Sequence, residues 1–177
     1  MKMSPDKEKS GIVGFAFGTP RSIPSNNAIS MIICKKAREL NAPVFVQFDI
    51  LILDPEIDVF YAKEYAHQAL TTYEVASQAI DWAITHNIKK LWIVATPCHF
   101  TRCLRDITYV AEQKKAKIKF RICQEIYDKT YEKDWLSKRS EQWWTRNKIF
   151  FWIRELPLLL TPIHFYKKIT DKGQSSW

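Results

Sequence analysis

The residues best placed to do chemistry lie in the run Thr96-Pro97-Cys98-His99-Phe100-Thr101-Arg102. An apolar stretch, Leu91-Trp-Ile-Val-Ala95, leads into it, and Pro97 suits the first turn of a helix. A helix opening there presents unpaired backbone N–H groups and the positive end of its dipole. His99 and Arg102 are three residues apart and share a face of that first turn. An imidazole and a guanidinium beside a helix N-terminus suit a phosphate or a carboxylate. The bland alternative is that Thr96 caps the helix while His99 and Arg102 are solvated, and the spacing alone leaves both open. With an ordinary pKa near neutrality, His99 is the candidate for proton transfer, and Arg102 the candidate for holding an anion.

Two further segments qualify by position, because ligands of open parallel sheets bind beyond the carboxyl ends of the strands. The apolar run Gly11-Ile-Val-Gly-Phe-Ala-Phe17 ends in Gly18-Thr19-Pro20-Arg21, and a helix begins at Thr71-Thr72-Tyr73-Glu74. Glu74 is a candidate general base, although Thr71 and Glu74 also have capping-box spacing, which is the favoured reading. Cys98 is read as a small packing residue rather than an activated thiol. Asp54, Glu56 and Asp58 read as a solvated acidic loop, since no glycine turn or later bidentate acid completes a calcium loop. His67 and His86 have no second ligand at helical spacing and read as structural or exposed, so no metal site is expected.

These segments need elements to position them. Strands are expected at 11–17, 43–48, 91–95 and 117–123, the last alternating polar and apolar as an edge strand does. Between them, Ile29, Ile32, Ile33, Ala37 and Leu40 share one helical face ending at Asn41. Val75, Ala76, Ala79, Ile80, Ala83 and Ile84 form a second stripe stopping at Asn87, and Phe100, Cys103, Leu104, Ile107 and Ala111 a third. Alternating strands and crossover helices predict an α/β fold with a mainly parallel sheet and helices on both faces.

The chain has 177 residues, 46% apolar and 26% charged, which fits one globular domain and excludes global disorder. A chain this long buries roughly 70% of its unfolded surface without disulfides or metal. The cysteines Cys34, Cys98, Cys103 and Cys123 form no CxxC pair, which points to reduced thiols and a cytoplasmic location. The opening MKMSPDKEKS lacks the apolar core of a signal peptide, and 149–166 carries too many charges and prolines to span a bilayer. Lys and Arg outnumber Asp and Glu by 27 to 19, a net +8, and the surplus is uneven. Residues 46–75 are acidic, whereas 111–148 hold eleven bases against six acids. From Tyr127 to Trp152, lysines and arginines interleave with tyrosines and tryptophans. Single-stranded nucleic acid or a membrane surface would suit that pattern, but helices packing their tryptophans on the core produce it too, and no nucleic-acid motif accompanies it.

The Thr72-Tyr73-Glu74-Val75-Ala76 helix start, paired with the strand and turn from Leu91 to Arg102, resembles the YdcF-like family. This group includes the SanA and ElyC proteins and is described as a domain of unknown function. The family has a threonine-tyrosine-glutamate-asparagine-alanine type helix start, then an apolar strand, then a histidine and an arginine three apart. Thr72, Glu74, Ala76, Thr96, His99 and Arg102 match that pattern; the resemblance covers about residues 11–125 and extends weakly to the Arg-Glu pair near Leu156. It implies a Rossmann-like three-layer α/β/α domain over 11–126, followed by a helical basic-aromatic extension over 127–170. Residues 1–10 and 171–177 are expected as tails. It also implies a cleft lined by Gly18, Thr19, Arg21, Thr72, Thr96, His99 and Arg102 that takes a small anionic molecule. Nucleotide-like compounds, S-adenosylmethionine among them, are the cofactors such a cleft would accept. The family's activity is unsettled, and some bacterial members are linked to the cell envelope. The chain departs from the family at three loops: Thr19-Pro20 follows Gly18, Gln47-Phe48-Asp49 replaces a serine-glycine-glycine turn, and Asn26 or Asn27 stands where an arginine is expected. Val75 replaces the asparagine of the helix motif. These departures imply an altered ligand or lost activity. The rival expectation is a non-enzymatic binding or scaffold protein that works through its basic aromatic C-terminal surface.

Overall fold

Parallel pairing dominates the architecture. The computed structural model describes residues 8–64, 70–163 and 165, and in it five strands pair in the order β3-β2-β1-β4-β5. They are β1 (Ser10–Gly14), β2 (Val44–Val46), β3 (Val59–Tyr61), β4 (Lys90–Val94) and β5 (Lys119–Ile122). Every pairing is parallel, with Ile12 beside both Val44 and Trp92. The sheet is thus the α/β, Rossmann-like arrangement expected from the alternating pattern. The central strands are buried through Ile12, Val13, Leu91, Ile93 and Val94. In β5, exposed Lys119 and Arg121 alternate with half-buried Phe120 and Ile122, as its edge position requires.

Three helices connect these strands: α1 (Pro24–Leu40), α2 (Thr72–Thr85) and α3 (Pro97–Gln113). Right-handed crossovers that leave β1 in one direction and β4 in the other place α1 on one face and α2 with α3 on the other. In agreement, α2 packs along α3, whereas α1 packs on β1 and β4. Gly14 lets α1 approach closely, since a Cβ there would stand 2.5 Å from Cδ1 of Ile33. Asn41 closes α1 in the left-handed conformation, its N–H bonding to the carbonyls of Ala37 and Arg38. Thr71 and Glu74 form the predicted capping box on α2.

Two features differ from expectation. The edge strand β3 lies inside the segment read as an acidic loop. Its residues Val59, Phe60 and Tyr61 are strand formers by type but too few to show an alternation, and pairing with β2 completes the strand. The extension beyond residue 127 is also less helical than expected. Short 3-10 turns at Gln124–Tyr127, Lys129–Tyr131 and Trp143–Thr145 precede one helix, α4 (Lys148–Leu160). The side chains of Asp128, Ser137, Ser140 and Asn147 each accept a hydrogen bond from a backbone N–H two or three residues on. Such local bonds favour turns over continuous helix until Asn147 caps α4. Of the expected tails, Ser10 already belongs to β1, while 1–7 and 171–177 lie outside the described residues.

Candidate functional site

Strand order reverses at β1, whose neighbours β2 and β4 are reached by connections on opposite faces of the sheet. The switch point lies beyond Gly14 and Val94, the place where open parallel sheets bind ligands, and here it is covered by the chain's own residues: Thr72, His99 and Arg102 beside it are buried. The loop leaving β1 forms one wall, and the loop leaving β4 with the starts of α2 and α3 forms the other.

Thr72, His99 and Arg102 meet on the second wall. Arg102 Nη1 donates to Thr72 Oγ1 at 2.7 Å, and Arg102 Nη2 lies 3.1 Å from His99 Nδ1. His99 Nε2 lies 3.4 Å from the same Thr72 hydroxyl. The one-turn spacing of His99 and Arg102 on α3 lets both face the first residue of α2. A fourth member comes from far along the chain: Glu155 on α4 accepts from Arg102 Nε through Oε1 at 2.7 Å. Its carboxylate is 1% exposed, and Arg102 and His99 are each 5% exposed.

Burial fixes the charges of this cluster. His99 is lowered to about 4, first because burial disfavours its charged form and then because Arg102 sits beside it. The imidazole is therefore neutral at pH 7, in contrast to the near-neutral titration expected from the sequence. Arg102 is a permanent donor, so the Nδ1 facing it carries the lone pair and Nε2 carries the proton. Burial alone would raise Glu155, but the His99 ring 3.8 Å away, which is charged only below about pH 4, and the Arg102 guanidinium outweigh it and hold the carboxyl at about 2. The anion held by Arg102 in this structure is thus Glu155 of its own chain. The other carboxylate oxygen, Oε2, is buried without a hydrogen-bond partner among the described residues.

The first wall holds Gly18, Thr19 and Arg21. Phe17 N–H donates to Asn26 Oδ1 and Asn26 Nδ2 donates to Gly18 O, both at 2.9 Å. Ser25 Oγ donates to Phe17 O, and Ala16 N–H donates to Gln47 Oε1. Asn26 and Gln47 therefore hold this loop in place. Gly18 has φ +89°, and a Cβ on it would stand 2.6 Å from Ser140 Oγ and 2.8 Å from Thr145 Oγ1. Thr19 O accepts from Glu141 N–H at 2.9 Å. The segment before α4 thus lies directly on the Gly18–Thr19 turn.

Arg21 stacks on Phe48, with Cζ 3.1 Å from the ring centroid, and its charge acts on Asp49. Burial pushes Asp49 up, with the nearby Glu64 adding to the rise and Arg21 opposing it. No hydrogen bond or ion pair among the described residues joins Arg21 to the Thr72–His99–Arg102 group. Phe17 links the two walls, its ring 5.7 Å from that of His99 and 5.6 Å from that of Phe151 on α4.

The other candidates have local partners. Thr96 is fully buried and makes no side-chain cap; its hydroxyl lies 3.4 Å from Cys98 Sγ. Burial raises the Cys98 thiol, which matches the packing role expected of it. Glu74 Oε2 accepts from Thr71 N–H at 2.8 Å and from Thr71 Oγ1 at 2.9 Å, which is the capping role. Asp54 pairs with Arg38 at 2.7 Å. His86 Nδ1 lies 2.8 Å from Trp82 O, and its ring packs edge-on against Phe60. His67 lies outside the described residues. Among those residues no group of three or more His, Cys, Asp or Glu could hold a metal.

Glu155 is not among the expected site residues, although the resemblance touches the Arg154-Glu155 pair. A second signal lies in composition: it is the sole acid between Gln142 and Thr170, a stretch otherwise apolar and basic. A lone carboxylate in such surroundings needs a cationic partner. No protein-family model matches the chain, and no curated protein matches it either.

Proposed function

We propose that the chain is a YdcF-like protein that binds a small anionic ligand in the crevice between β1 and β4. The ligand is nucleotide-like or carries a phosphate or carboxylate. The observation that carries this reading is the state of the Thr72 hydroxyl. Its oxygen accepts from Arg102 and faces the protonated Nε2 of His99, so its own hydrogen needs a different acceptor. Nothing among the described residues supplies one, and an anionic oxygen would. The unpartnered Oε2 of Glu155 needs the converse, a donor. A nucleotide-like molecule offers acceptors on its phosphates and donors on its sugar and base. The His99 lone pair is taken up by Arg102 and its Nε2 proton faces Thr72, so in this arrangement His99 orients the Thr72 hydroxyl rather than taking a proton, and Glu74 is left to its cap. The four free thiols accord with a cytoplasmic protein, and a role in bacterial cell-envelope metabolism belongs to the same proposal.

Thermal unfolding against nucleotides, S-adenosylmethionine, sugar phosphates and divalent metals tests the reading, with Thr72→Val alongside. A ligand at a hundred times its dissociation constant raises the midpoint by roughly 5–10 °C for a chain of this size. The expected result is a shift with one anionic compound class that Thr72→Val abolishes. A shift unchanged in Thr72→Val, or none with any compound, overturns it.

A further inference from the structure

Beyond Lys148 the exposed residues of α4 are apolar. Phe151 and Glu155 point inward and are buried, while Ile149, Phe150, Trp152, Ile153, Leu156 and Leu160 are exposed, Ile149 by 72% and Leu160 by 81%. Ile149, Ile153, Leu156 and Leu160 recur at the spacing that lines one side of a helix. A helix lying on a globular domain normally turns polar residues to water, so this stripe is inverted relative to one stabilised by water contact. Trp143, itself half-exposed, continues the patch by packing 5.5 Å from the Phe150 ring.

Charge identifies what covers this face. Between Gln142 and Thr170 the bases are Arg146, Lys148, Arg154, Lys167 and Lys168, and the single acid is Glu155. That acid is buried and spent on Arg102. The exposed face therefore has cations toward both ends in the sequence and no exposed carboxylate on the helix. Exposed Arg146 and Lys148 precede the stripe, and Arg154 lies over the Trp144 ring at 4.4 Å. Aliphatic side chains at the centre, tryptophans beside them and Lys148 at the start match a helix lying flat in the headgroup layer of an anionic bilayer. Nucleic acid could stack on Trp143, Phe150 and Trp152 but would leave the aliphatic Ile149, Ile153, Leu156 and Leu160 in water, whereas a bilayer covers both. No helix among the described residues is long and apolar enough to cross a membrane, and α4, about 20 Å long, suits attachment to a surface.

We infer that α4 is a surface anchor that seats this protein on anionic lipid membranes, with its Ile149–Leu160 stripe among the acyl chains and Lys148 among the headgroups.

Vesicle flotation with the full chain tests this, using phosphatidylcholine alone and phosphatidylcholine with one-third phosphatidylglycerol. Two variants accompany it: Ile149→Ser/Ile153→Ser/Leu160→Ser, and Lys148→Gln. Met31→Ser, on the exposed side of α1, is the control for general surface hydrophobicity. Each replaced residue on α4 is exposed, and unchanged circular dichroism with an unchanged or raised melting midpoint shows that the variants fold. Binding is expected to prefer the anionic vesicles by more than about ten-fold and to weaken as salt rises. It should vanish in the triple variant, fall about five-fold in Lys148→Gln and remain in Met31→Ser. Equal binding by the parent and a folded triple variant overturns the inference, as does no preference for anionic lipid. A salt-sensitive affinity for single-stranded oligonucleotides without vesicle binding also overturns it, in favour of nucleic acid. A dimer in sedimentation that the triple variant dissolves, again without vesicle binding, overturns it in favour of a self-interface.

Discussion

Glu155→Gln removes one negative charge from a position that is 1% exposed and leaves the side-chain shape unchanged. Arg102, 5% exposed, then keeps its full charge with its Nε partner neutralised. Breaking a buried pair by removing one partner costs about 3–5 kcal/mol, because the remaining ion is desolvated without compensation. In a chain of this size that corresponds to a fall in melting midpoint of about 6–20 °C at pH 7. The same reasoning makes a second demand. In Arg102→Met/Glu155→Leu both charges are gone and apolar volume replaces them, so the double variant should be more stable than either Arg102→Met or Glu155→Gln. Urea titration and thermal melts monitored by circular dichroism measure all four proteins on one scale. A Glu155→Gln cost below about 1 kcal/mol would show that the pair is hydrated in solution. A double variant less stable than either single variant would show that the two charges do not compensate one another. Either result would refute the account of α4 as electrostatically fastened to α3.

Three further outcomes follow from the geometry. His99 lies at about 4 in the folded chain against an ordinary value of 6.5, so the unfolded chain takes the proton first as pH falls. Stability is therefore complete above pH 6.5 and declines toward pH 4, by about 3 kcal/mol if the whole separation is expressed, and Glu155 extends the loss from 4.5 toward 2. The difference between parent and His99→Asn urea midpoints across that range isolates the histidine contribution; a flat difference contradicts the assignment. Gly18→Ala should destabilise by about 1–3 kcal/mol in urea titration, because it adds a Cβ at positive φ against Ser140 and Thr145; unchanged stability would mean that the segment before α4 does not lie on this turn. Thr71→Ala should cost about 1 kcal/mol through loss of the α2 cap, read as a lower melting midpoint, whereas Glu74→Gln should keep most of the cap.

The sequence by itself determined the elements that obey a period. The stripes on α1, α2 and α3, their stops at Asn41 and Asn87, and the apolar runs of β1, β2 and β4 are all local patterns. Burial on one face imposes each of them, so they are legible without knowing what lies opposite. The meeting of His99 with Arg102 belongs to the same class, since one helical turn decides it. So does the Thr71–Glu74 box, which needs only four consecutive residues.

What tertiary structure decided is which distant residues complete the site. The strand β3 pairs with the edge of β2, and although Val59, Phe60 and Tyr61 favour a strand by type, so short a run does not say which edge it joins. The chain places Thr72 thirty residues before Arg102 and Glu155 fifty-three residues after it, and only the packing of α2, α3 and α4 brings all three onto one guanidinium. The ionisation of His99 follows from the same packing: its residue type sets 6.5, and burial beside Arg102 moves it to about 4. Arg21 shows the opposite case, close in sequence to Gly18 yet carried to Phe48 and Asp49 by the turn of the chain. Spacing specifies a neighbour only within one element. Between elements, the field at a side chain is set by whichever surface the fold presses against it.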